Sequence, residues 1–119
     1  MNEMNLSAAR RMMVDCQIRP TKVTDERVLE AFATVPRELF VSKSQRSIAY
    51  VDEDLPLPGG RWLIEPMVLA RVVQALDVGM SDHVLIVGGA TGYGTAILAQ
   101  LAGSVISIET RAQLVEKSH

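Results

Sequence analysis

Apolar positions recur at helical spacing in the first third of the chain. Leu6, Ala9, Met13 and Ile18, widened by Met12, predict an amphipathic helix over 6–18. Arg19 before Pro20 predicts its end, because proline pushes the preceding residue out of the α region. Thr24 then reads as a cap for a second helix, with Asp25 and Glu26 in its first turn and Val28, Leu29, Phe32 and Val35 on its buried face. Pro36 closes that helix. Residues 41–63 show no periodicity and read as an ordered loop punctuated by Pro56, Pro58, Gly59 and Gly60. Pro66 suits the first turn of a third helix with Met67, Ala70, Val73 and Leu76 inward and Gly79 as its stop. Val84 to Val87 is apolar without alternation, the pattern of a parallel strand covered on both faces. A glycine turn, a helix over 95–101, a second strand over 105–108 and a crossover helix from Arg111 complete the expectation.

With 119 residues, 48% hydrophobic and 22% charged, the chain builds one core and is not disordered. Aromatics are only 4%, so aliphatic residues must fill that core, with Met12, Met13 and Met67 as fillers. A net charge of −2 gives no sign of a nucleic-acid surface. No stretch has the length of a membrane span and no signal peptide is visible. The single cysteine, Cys16, excludes an intrachain disulfide, suits a reducing, cytoplasmic setting and is expected to be partly buried. His83 and His119 make no metal-ligand spacing, so no metal is expected. Trp62 is expected to cover its loop, and Asp52 to Asp54 to form a solvated acidic turn.

The turn after the first strand carries the chemistry. Glycines allow a tight reversal and let backbone N–H groups approach a ligand at an electropositive helix start. The dinucleotide pattern G-x-G-x-x-G fails here, since Ala90 and Tyr93 fall on glycine positions. The spacing Gly88, Gly89, Ala90, Thr91, Gly92 fits better the shorter form typical of S-adenosyl-L-methionine (SAM) methyltransferases, whose ligand has no pyrophosphate. Glu109 ends the second strand about twenty residues on, where a carboxylate can accept both ribose hydroxyls. The fold class is therefore α/β. A helical N-terminal segment and substrate loop (1–80) precede the first βαβ unit of a Rossmann-like SAM-methyltransferase fold (81–119), with the sheet incomplete. An unpaired apolar edge predicts self-association.

Beyond the turn, the order of segments resembles the protein-L-isoaspartate O-methyltransferase family. The likeness is carried by Val28 to Phe32, Val35 to Val41, Ala49 and Tyr50, Leu55 to Leu57, Pro66 to Arg71, and Val84 to Leu98. It implies a cytosolic, usually monomeric enzyme that moves a methyl group from SAM to the free carboxylate of isoaspartyl residues in damaged proteins and peptides. Where the family's loop reads approximately Gly-Gln-Thr-Ile-Ser-Gln-Pro, residues 60–66 here place Ile64 at the active-site hydroxyl and Trp62 at the threonine. Ile86 stands where the family has an acid, and Ala90 at the middle glycine. Arg61 is the candidate that replaces the lost hydroxyl as a charge-assisted donor to the substrate carboxylate. Two other readings stay open: a catalytically impaired relative acting as a binding module, and a methyltransferase with another acceptor.

Overall fold

A computed structural model describes residues 3–109. The first helix, α1 (Glu3–Met13), runs into a π-helical turn, Val14–Ile18, and a short 3-10 turn, Arg19–Thr21. The expected helix over 6–18 is thus two windings. The wider turn resets the phase, so Val14 and Ile18 join Met13 inside, while Met12, a residue before Met13 on α1, turns outward and is 61% exposed. Met12 is therefore not a core filler, and Cys16, on the outer side of the same turn, is exposed rather than partly buried.

Helix α2 (Glu26–Thr34) is capped by Asp25, not Thr24; the Asp25 carboxylate accepts the Arg27 N–H at 2.9 Å. Val28, Leu29, Ala31 and Phe32 are buried as the spacing predicts. The Thr24 and Asp25 amides instead donate to Gln74 Oε1 at 2.8 and 2.9 Å, which ties this entry to the third helix.

The loop expected over 41–63 is more ordered than its composition suggests. It holds a 3-10 turn, Lys43–Ile48, and an antiparallel hairpin of β1 (Leu55–Leu57) and β2 (Arg61–Leu63) around Gly59 and Gly60. Leu55, Leu57 and Leu63 bury one side of that hairpin, which leaves Trp62 outward and 62% exposed rather than covering the loop. Asp52, Glu53 and Asp54 are exposed, and Asp54 accepts the Glu65 N–H at 2.7 Å.

Helix α3 (Pro66–Leu76) starts on its proline and buries Ala70 and Val73. It ends at Asp77 in the left-handed conformation, before Gly79, and Leu76, its last residue, is 56% exposed, not inward.

Strand β3 (His83–Val87), helix α4 (Tyr93–Ala99) and strand β4 (Ser104–Ile108) form the βαβ unit, with Val87 opposite Ile108 in a parallel ladder. Val84, Ile86 and Val105 pack against the core. Their alternates do not: Leu85, Val87, Ile106 and Ile108 are 49–78% exposed. The expectation of a strand covered on both faces fails here, because among the described residues only one face of the ribbon has a covering layer. The crossover helix expected from Arg111 lies outside the described residues.

Candidate functional site

The parallel register brings the ends of β3 and β4 side by side. The Ile108 carbonyl therefore accepts N–H bonds from Gly88 at 2.7 Å and Gly89 at 3.3 Å. The turn then winds through three left-handed residues, Gly88 (φ 71°), Ala90 (φ 52°) and Gly92 (φ 95°), before α4 starts. Ala90 adopts without glycine's freedom a conformation costing about 1 kcal/mol for an L-residue. Gly89 is required for a different reason: a Cβ there would lie 2.0 Å from Ser107 Oγ.

Glu109 follows β4 directly and folds back over this turn. Its Oε2 accepts the Ala90 N–H at 2.8 Å, and its Oε1 accepts from Arg61 Nη1 at 2.9 Å. The same guanidinium donates through Nη2 to the Gly88 carbonyl at 2.7 Å. The Glu109 side chain is 4% exposed and the Arg61 side chain 31%. Five sequence candidates thus come together: Arg61, Gly88, Gly89, Ala90 and Glu109. Thr91 and Gly92 complete the turn. The Thr91 hydroxyl is buried with no hydrogen-bond partner, as is that of Thr95.

Ile64 lies one residue beyond β2. Its side chain is 38% exposed and carries no donor, while its carbonyl accepts from Arg37 Nη2 at 3.1 Å. Ile86 packs against the core from β3 and offers the turn no polar side-chain atom.

Arg37 was not visible as a site element from the sequence, although it sits in the Val35 to Val41 segment. It is fully buried and donates to the Ala49 carbonyl at 2.6 Å as well as to Ile64. Its guanidinium carbon lies 4.9 Å from the centroid of the Tyr93 ring. Phe32 and Phe40 meet the same ring edge-on at 6.1 and 5.6 Å. The first residue of α4 is therefore packed against α2 and the 3-10 turn Arg37–Phe40 that follows it. Burial pushes the Arg37 pKa below its usual value, opposed by Tyr93, and burial likewise pushes Tyr93 up. The charged pair Arg37-Glu38 between Pro36 and Phe40, inside an apolar stretch, was the available signal for such a buried anchor.

Beside it, the Tyr50 hydroxyl donates to Glu38, accepts the Arg37 N–H at 3.1 Å and accepts from Arg10 Nε at 2.8 Å. Burial pushes the Tyr50 pKa up to about 12. Among the described residues no cluster of His, Cys, Asp and Glu could hold a metal ion, and no helix is long and apolar enough to cross a membrane.

Comparison with known proteins agrees with this architecture. The family described as protein-L-isoaspartate(D-aspartate) O-methyltransferase matches residues 8–119. A protein-L-isoaspartate O-methyltransferase of Koribacter versatilis is 44% identical over 88% of this chain and 47% of its own length. A second, from Anaeromyxobacter sp., is 45% identical over 92% of this chain and 45% of its own. The chain thus spans about half the length of the curated relatives it matches. A solved protein-L-isoaspartate O-methyltransferase superposes with a TM-score of 0.78 at 26% identity, covering 92% of this chain and 36% of that one. A structure from Plasmodium falciparum, assigned to the same family and in complex with S-adenosyl-L-homocysteine, shares the fold at a TM-score of 0.72 and 20% identity, covering 92% and 52%. The α/β architecture is Rossmann-like, as in the solved structures it superposes on, and the chain belongs to the protein-L-isoaspartate(D-aspartate) O-methyltransferase family.

Proposed function

We propose that this chain carries the acceptor loop (within 1–80) and the cofactor turn (within 81–119) of a SAM-dependent isoaspartyl carboxyl methyltransferase acting on damaged proteins and peptides. The convergence of Glu109 and the glycine turn on one spot carries the reading. Two features support the fit to a nucleoside sulfonium ligand. Glu109 supplies the acceptor that a vicinal diol needs. The hydroxyls of Thr91, in the turn, and of Thr95, in the first turn of α4, are buried with no hydrogen-bond partner. When bound, SAM supplies the electrophilic methyl group.

The residues of the chain do the rest. An isoaspartyl carboxylate is ionised at neutral pH, so no general base is required. What remains is alignment and removal of water. Arg37 holds the Ile64 carbonyl, and with it the loop where a carboxylate would lie. Ile64 offers no donor, and Arg61 is the nearest cation in sequence able to supply a charge-assisted bond, a contact worth about 1.5–3 kcal/mol when not exposed. Ile86, turned into the core, leaves the ligand one polar contact fewer and should weaken its affinity. The bare β3–β4 face supports self-association.

Radiolabelled SAM with paired isoaspartyl and aspartyl peptides tests the proposal. Transfer to the isoaspartyl peptide alone is expected. Binding of S-adenosyl-L-homocysteine without transfer to either peptide would point to another acceptor. Neither binding nor transfer would point to an interaction module, a reading favoured by the loss of the hydroxyl at Ile64.

A further inference from the structure

Resting on that reading, we propose that Arg61 is an internal cation seated in the cofactor cleft, and that SAM must displace it. Its two terminal nitrogens engage two acceptors, Glu109 Oε1 at 2.9 Å and the Gly88 carbonyl at 2.7 Å. These are the groups a sugar diol and a cationic ligand need at this turn. The fit is close: a Cβ built on Gly88 would lie 2.6 Å from Arg61 Nη2, so the tip of the guanidinium abuts the turn where only a glycine leaves room for it. Glu109 is 4% exposed beneath this and its other contacts, whereas Arg61 is 31% exposed and sits at the end of the β1–β2 hairpin. Arg61 is the partner that can leave, because its hairpin reaches solvent and Glu109 is also fixed by the Ala90 amide.

Displacement has a chemical consequence. A guanidinium pushed off Glu109 is left without its carboxylate, three residues from Ile64 on the loop expected to meet the substrate. The substrate carboxylate is then the available counter-charge. Cofactor and acceptor sites would be linked through one side chain, which competes with the cofactor for Glu109 and, once displaced, donates to the acceptor.

Calorimetric titration of the 119-residue chain with S-adenosyl-L-homocysteine tests the displacement. Arg61→Ala should bind roughly three- to tenfold more tightly, since a charge-assisted pair of this exposure is worth about one power of ten at most. Arg61→Lys, which cannot span both acceptors, should fall between. Equal or weaker binding by Arg61→Ala would overturn the displacement while leaving the cofactor reading intact. No binding by any form would remove both. If Arg61→Ala fails to fold, trypsin on the unsubstituted chain decides: the ligand should accelerate cleavage after Arg61, and unchanged or slowed cleavage there overturns the proposal.

Discussion

Val73 and Val87 have the same side chain and different fates. Val73, on α3, is 2% exposed; Val87, at the end of β3, is 78% exposed. The N-terminal helices carry apolar stripes about one face wide, and they satisfy each other by packing stripe to stripe. The β3–β4 ribbon is apolar on both faces, a pattern that calls for two covering layers. Among the described residues it has one. The helical region is therefore self-contained, and the ribbon borrows from it.

If the two regions differ in this way, substitutions should separate them by size of effect. The largest belongs to Phe32, fully buried and in contact with Tyr93: Phe32→Ala should cost about 3–5 kcal/mol, seen as a lowered urea midpoint. Alkali should act on the same region. The Tyr50 pKa is raised in the fold to about 12 from 10.0, so the neutral phenol favours folding. That contribution is whole below pH 10, and it is lost as pH climbs from there through about 12. Urea midpoints measured at pH 8 and 11 should fall less in Tyr50→Phe than in the unsubstituted chain. A smaller effect is expected at the cap, where Asp25→Ala should cost about 1 kcal/mol by the same assay. In the turn the sign should reverse. Ala90→Gly should relieve left-handed strain and gain roughly 0.5 kcal/mol after the entropy of the more flexible unfolded chain is subtracted. On the bare face, Val87→Lys should change stability by no more than about 0.5 kcal/mol, while sedimentation velocity shows less association. A large loss of stability there would mean that the face is already covered.

The same asymmetry explains what was legible in the sequence. Helix faces such as Val28, Leu29 and Phe32 could be read because spacing alone determines which side packs inward. The glycine turn and Glu109 could be read because their residue types are tied to backbone geometry and to sugar recognition. The β1–β2 hairpin escaped because three-residue strands are too short to show alternation, and their glycines looked like loop punctuation. The π-helical turn at Val14–Ile18 escaped because a change of winding leaves no mark on composition, and Cys16 on its outer side is exposed for that reason. The Arg61 contact with Glu109 joins residues far apart in the chain, and no local pattern encodes such a meeting.

The clasp on Tyr93 has a thermodynamic corollary. A ring held by Phe32, Phe40 and Arg37 at the foot of α4 ties the start of that helix to the N-terminal layer. Heating should thus erase the near-ultraviolet tyrosine ellipticity and the far-ultraviolet helical signal at a single temperature.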